Sequence, residues 1–280
     1  MKNLLAYLLM VCGVTAVFFD GILPSCVIFA LTLLGYIGMP FFARALVDGF
    51  FLTKSTYKYF LRITFTAYLS QAALLFVYLA WDRSPAPERF NIVFTWMIAF
   101  VILFGVELLV SLPRDRVASM NLLEPNQTSH STRYGVVISS TEANNLPKGM
   151  KVPKWPRTTL HGIAIVLFSV CMVLITFMPL TMSMMCIMCT LMFYFLHRWK
   201  IDSRVLVATT FYCAFAACYT YLYFRMTGSI TWEGISILGF LLCLLLPSKK
   251  RKMPKWFYRL FYLFYPAAIL LCALIAYLVS

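Results

Sequence analysis

Few side chains in this sequence are suited to proton transfer, nucleophilic attack or metal binding, because 62% of its 280 residues are apolar and only 12% are charged. Glu107 stands about two-thirds of the way along the apolar run Asn91–Leu112. An ionisable group at such a place is a functional candidate by default. It reads either as a boundary carboxylate that snorkels or pairs with a neighbouring helix, or as a substrate or proton site. Asp48 follows Arg44 by four residues, which puts both on one helical face. They would neutralise each other near the membrane boundary or form a polar pocket at its surface. Glu233 opens another apolar run and reads as interfacial. His130, His161 and His197 fall in a polar stretch or at the ends of apolar runs, and none has a carboxylate at helical spacing. An intramembrane general base is therefore not an obvious histidine. Cys186 and Cys189 form a CxxC among Met182, Met184, Met185, Met188 and Met192. Soft sulfur ligands suit Cu(I), but methionine is also a common packing residue, and no second soft cluster accompanies this one. No metal is expected.

The elements that must position these residues follow from composition. A soluble domain is about 45–50% apolar and about 25% charged. A mean hydropathy of +0.83 excludes that class, and disordered and collagenous chains with it. A membrane helix needs about 20 mostly apolar residues. Nine such runs can be drawn: Asn3–Phe19, Ile22–Phe42, Phe60–Trp81, Asn91–Leu112, Thr159–Met178, Leu180–His197, Val205–Arg225, Ile230–Leu246 and Trp256–Val279. They are apolar all round rather than alternating, so the expected fold is all-α: a polytopic helical membrane protein of about nine transmembrane helices. The first run reads as a retained helix rather than a cleaved leader.

With the N-terminus in the cytoplasm, every lysine and arginine except Arg83, Arg89 and Arg225 falls on the inside. Cytoplasmic loops retain cations in this way. The net charge of +14 is then a topology signal, and no nucleic-acid partner is expected. All nine cysteines lie in apolar stretches and read as small hydrophobes rather than a disulfide framework. The chain divides into an N-terminal four-helix part (1–112), a basic cytoplasmic loop (113–158) and a C-terminal five-helix part (159–280). The loop holds a short strand-like piece at Gly135–Ser139 and an Asn126-Gln127-Thr128 sequon. On the cytoplasmic side that sequon would never meet the glycosylation machinery. The last run opens with Trp256, Phe257, Tyr258, Phe261 and Tyr262 after a lysine-rich stretch, which reads as an interfacial anchor.

Leu34–Gln71 carries the spacing Gly-x4-Pro-Phe-x6-Asp-Gly-Phe-x2-Thr from Gly35 to Thr53. With Ala16–Gly21, Asn91–Thr95 and Lys255–Leu271, this stretch resembles the TraX family. Its members are integral inner-membrane proteins of bacteria related to membrane acyltransferases, and the founding member acetylates the N-terminus of pilin. The resemblance covers both ends and much of the N-terminal half, and is weak from Leu112 to about Leu246. The family-like scaffold positions are Gly35, Pro40, Phe41, Asp48, Gly49, Thr53, Tyr59, Arg62, Ser70, Gln71, Tyr265 and Pro266.

The resemblance implies a bacterial inner-membrane enzyme with acyl-CoA, such as acetyl-CoA, as co-substrate and no permanently bound cofactor. The lipid bilayer and pilin or the conjugation machinery are its expected partners. Asp48, Arg62 and Cys12 are the catalytic candidates, Cys12 as an acyl-accepting nucleophile. Arg44, Lys54 and Arg62 are candidates for attracting CoA phosphates. Acetyl transfer to an amine needs a base and oxyanion donors. The family pattern has Asp-His where this chain has Cys12-Gly13, Arg where it has Tyr36, His where it has Leu52, and His where it has Ala268. A non-catalytic membrane scaffold or pilus accessory is therefore the alternative expectation. A transporter built around Glu107 is the third.

Overall fold

The computed structural model describes residues 2–81, 91–111, 157–177, 183–198, 204–246 and 255–279. Most of the expected cytoplasmic loop, with its strand-like piece, sequon and His130, lies outside the described residues. So does the basic run Lys249–Lys252, and nothing is described of the side chains of the aromatic anchor Trp256–Tyr262.

Every regular element among the described residues is helical. They are α1 (Lys2–Phe18), α2 (Ser25–Leu52), α3 (Thr56–Trp81), α4 (Ile92–Ser111), α5 (Arg157–Phe177), α6 (Ser183–Arg198), α7 (Arg204–Thr227), a 3-10 turn (Trp232–Ile235), α8 (Ser236–Leu245) and α9 (Lys255–Val279). Each of the nine apolar runs thus contains one α-helix. Five of these helices, α2, α3, α4, α5 and α7, are long and apolar enough to cross a bilayer. The outward face is apolar as well: Leu79 and Leu206 are each 74% exposed. Hydrocarbon leaves no water to satisfy backbone groups, so a continuous helix is the conformation such runs adopt there.

The run expected to end at Phe42 continues as helix to Leu52. Arg44 and Asp48, expected to share one helical face, are one turn apart within this extension and satisfy each other at 4.0 Å. At 28 residues and 1.5 Å per residue, α2 is about 42 Å long, against a hydrocarbon core of about 30 Å. The run expected at Ile230–Leu246 is instead a 3-10 turn followed by a ten-residue helix.

The helix α2 is the hub of the molecule. It packs against α1, α6 and α8, touches α3 and α4, and its approaches are set by glycine. A Cβ on Gly35 would lie 2.9 Å from the Gly13 Cα of α1, and one on Gly49 would lie 2.3 Å from the Tyr59 hydroxyl of α3. Small residues let membrane helices approach this closely, which gives two of the family-like glycines a packing role. The main core gathers residues such as Phe50, Leu103, Tyr194, Tyr212 and Phe240, all 0% exposed. A second core joins Val14 and Phe18 of α1, Val77 of α3 and Ile269 of α9. The last helix thereby returns to the first and third.

The start of α4 is tied to α3 through Asn91, which is 4% exposed. Its Oδ1 accepts from the Val93 N–H at 2.9 Å, capping the helix. Its Nδ2 donates to Gln71 Oε1 at 3.0 Å and to the Ala67 carbonyl at 3.1 Å. Asn91→Ala removes the cap and the side-chain bonds that tie α4 to Gln71 and Ala67 of α3. It is expected to cost about 2 kcal/mol, read as a lower unfolding midpoint of the detergent-solubilised protein.

Candidate functional site

Three helices bring their C-terminal ends together: α2 with Arg44, Asp48 and Phe51, α4 with Glu107, and α6 with Tyr194, His197 and Arg198. Residues 44, 48 and 51 recur at helical spacing and so share one face of α2. Residues 194, 197 and 198 do the same on α6.

The inner half of this cluster is sealed. Glu107 and Arg198 side chains are each 1% exposed, with Arg198 Nη2 3.4 Å from Glu107 Oε1. The Tyr194 hydroxyl donates to Glu107 Oε2. Isolated buried charges are costly, and opposite charges with hydrogen bonds offset that cost. Of the two sequence readings of Glu107, the structure shows pairing with a neighbouring helix.

The outer half is partly open. His197 Nδ1 lies 3.6 Å from Asp48 Oδ1, and the two side chains are 37% and 42% exposed. The imidazole stacks on Phe51 with ring centroids 4.3 Å apart, and Phe51 also stacks on Tyr194 at 5.6 Å. One phenyl ring thus joins the open pair to the sealed one. The pair forms although no histidine has a carboxylate at helical spacing in the sequence. His197 and Asp48 are 149 residues apart along the chain, so no local spacing reveals them. A histidine held by a carboxylate at one nitrogen presents the other as a general base.

Arg44 is already engaged. Its Nη1 donates to the Cys243 carbonyl at 2.6 Å, and its guanidinium lies 5.9 Å from the centre of the Phe193 ring. The Cys243 carbonyl belongs to the last turn of α8, where carbonyls lack intrahelical partners and a cation is favoured. Arg44 therefore caps α8 across the α2–α8 contact while pairing with Asp48.

The other sequence candidates lie apart from this cluster. Lys54 is exposed in the α2–α3 turn, and Arg62 is exposed on α3. Cys12 sits on α1 beside Gly13, at the glycine contact with Gly35. Ala268 is buried in α9. A cavity of about 110 Å³ lies on the opposite side of α2, lined by Tyr7, Phe42, Leu46, Tyr59, Trp96 and Tyr265 among others. Cys12, Arg44, Asp48, Arg62 and Ala268 are not among its lining residues. Among the described residues, no group of three or more histidine, cysteine or acidic side chains comes together as metal ligands. Tyr194 and Arg198 were not singled out in the sequence. Their one signal is a tyrosine four residues before an arginine at the end of an apolar helix.

No known family model, curated protein or solved structure matches this chain.

Proposed function

We propose that this chain is a TraX-like membrane acyltransferase. It spans a bacterial inner membrane nine times with its N-terminus in the cytoplasm. It transfers the acetyl group of acetyl-CoA to the N-terminus of pilin or a similar membrane-embedded amine. The observation that carries this reading is the His197–Asp48 pair at the ends of α6 and α2. In that topology both ends face the cytoplasm, where acyl-CoA is found. Asp48 is one of the family-like positions, and His197 supplies the base that the substitutions at Gly13, Leu52 and Ala268 removed from the family pattern.

The chemistry is balanced by these two residues. The substrate amine attacks the thioester carbonyl, forming a C–N bond, and His197 Nε2 takes the amine proton. Asp48 at Nδ1 holds the ring and stabilises the imidazolium. The C–S bond then breaks, and the imidazolium proton goes to the leaving thiolate to give free CoA. Lys54 and Lys58, exposed at the α2–α3 turn, carry positive charge toward the CoA phosphates.

The test is the mass of co-expressed pilin. An acetyl increment is expected at its N-terminus only when this gene is present. His197→Gln is expected to slow acetylation roughly 10²–10⁴-fold, the usual contribution of a positioned base. Identical pilin masses with and without the gene would overturn the reading for this substrate.

One observation favours the second reading, a non-catalytic scaffold. The Gly13–Gly35 contact packs α1 against α2 with no side chain between them, at the place where the family pattern carries its Asp-His and Arg. Under that reading pilin mass is unchanged, and the protein co-purifies with pilin or the conjugation machinery.

A further inference from the structure

The cavity across α2 from the His197–Asp48 pair takes no part in acyl transfer. It holds about 110 Å³ and is partly open to the outside of the bundle. Five helices line it: α1 with Tyr7, α2 with Ala45, α3 with Ile63 and Thr66, α4 with Trp96 and α9 with Tyr265. No charged side chain is among the lining residues. Two of the polar ones are turned to backbone. The Thr66 hydroxyl donates to the Arg62 carbonyl at 2.8 Å, and the Tyr59 hydroxyl to the Leu46 carbonyl at 3.5 Å. Position along the helices sets the depth of the cavity. Tyr7, Ile63, Thr66 and Tyr265 come 5 to 10 residues after the first residue of α1, α3 or α9. That is about 8–15 Å along each helix, within one half of a hydrocarbon core of about 30 Å. The first two turns of these three helices hold Lys2, Lys58, Arg62, Lys255 and Arg259, and none of the three helices carries an acidic residue. Lys58 and Arg62 are exposed. Arg62 precedes Thr66 by one turn and shares its face of α3.

We propose that this cavity seats an acyl chain of an anionic phospholipid whose headgroup phosphate pairs with the α3 cations, Arg62 first among them. The lining of an empty cavity forfeits its dispersion contacts, and where hydrocarbon is the solvent a lipid chain restores them. An apolar cavity of about 150 Å³ admits benzene, so this one takes roughly four carbons of a chain. Lipid tails are as apolar as the lining, so the cavity by itself does not choose among lipids. Charge makes that choice. Each lysine or arginine at the membrane surface favours an anionic lipid about fivefold, and the nearby helix starts hold cations with no acid to oppose them. Tyrosines such as Tyr7 and Tyr265 suit the level where chains meet headgroups. The His197–Asp48 pair is on the other side of α2, so the lipid site stands or falls independently of acyl transfer.

The test places the full-length protein in phosphatidylcholine vesicles with a rising share of brominated-chain lipid, either phosphatidylglycerol or phosphatidylcholine. Bromine quenches tryptophan at short range. The Trp96 signal is the difference between wild type and Trp96→Phe, and Trp96 is only 7% exposed. Brominated phosphatidylglycerol is expected to half-quench it at a mole fraction at least about fivefold below that of brominated phosphatidylcholine. Arg62→Gln is expected to raise the phosphatidylglycerol fraction about fivefold and to leave the phosphatidylcholine curve in place. Ala45→Leu adds three carbons to a space for roughly four, and it is expected to cut quenching by both lipids. Equal curves for the two lipids on wild type overturn the proposal, and so does wild-type quenching in Ala45→Leu. If Trp96→Phe or Ala45→Leu fails to fold, native mass spectrometry of detergent-purified protein decides. Wild type is expected to retain phosphatidylglycerol that Arg62→Gln loses, and equal retention overturns the site.

Discussion

Arg198→Ala is expected to destabilise the protein by about 3–5 kcal/mol, because it leaves the Glu107 carboxylate without its cation in a sealed site. The arginine is 3% exposed as a residue, so water does not replace it. A loss of that size corresponds to a drop of roughly 6–20 °C in the unfolding midpoint for a chain of this length. The measurement is thermal unfolding in detergent, followed by the fraction that stays monodisperse. The double variant Glu107→Leu with Arg198→Met is the informative companion. Replacing a whole buried ion pair with apolar residues of similar volume is often neutral or stabilising. The double variant is therefore expected to recover most of the lost stability. A double variant as unstable as Arg198→Ala would show that the two charges contribute through something other than their mutual pairing.

The second large effect is expected at Gly239. A Cβ there would lie 2.1 Å from the Ile37 carbonyl oxygen and 2.9 Å from its carbon. Both atoms are backbone, so no rotamer relieves the clash. Gly239→Ala must push α8 away from α2, at the upper end of the roughly 1–3 kcal/mol typical of overpacking. The same displacement pulls the Cys243 carbonyl from Arg44, one turn further along α8. Gly162→Ala is the matching control, since a Cβ on Gly162 meets nothing within 4 Å. Gly239→Ala should lower the unfolding midpoint and Gly162→Ala should not. Equal midpoints for the two would mean that α2 and α8 do not pack this closely.

These two effects mark the line between what is legible in the sequence and what is not. The apolar runs announce the helices because hydrocarbon admits little else, and each run holds one. The Arg44–Asp48 pair is legible too, since its partners are four residues apart on one helix. The end of the apolar run at Phe42 was a poor guide to where α2 ends. A boundary residue that finds a partner can stay helical, and Arg44 finds two, one of them in α8. The Glu107–Tyr194–Arg198 and His197–Asp48 groups are long-range meetings of helix ends, and helix patterns fix which face a residue lies on but not which helix faces it. The family-like glycines were visible as a spacing, and the structure gives Gly35 and Gly49 a physical reason in close helix approach. Cys12, Lys54 and Arg62 were reasonable by residue type, yet none of the three belongs to the cluster at the ends of α2, α4 and α6.

The bond from Arg44 to the Cys243 carbonyl spans 199 residues of chain, and this has a consequence for biogenesis. At about 5–20 residues per second of synthesis, Arg44 emerges roughly 10–40 s before its acceptor exists. Throughout that interval the distal turns of α2 hold a guanidinium that has Asp48, and later the Phe193 ring, but not its carbonyl acceptor. The rim of the bundle where α2 meets the end of α8 therefore closes late, after α8 has been made. A ribosome-stalled fragment ending before Cys243 should leave this part of α2 open to protease.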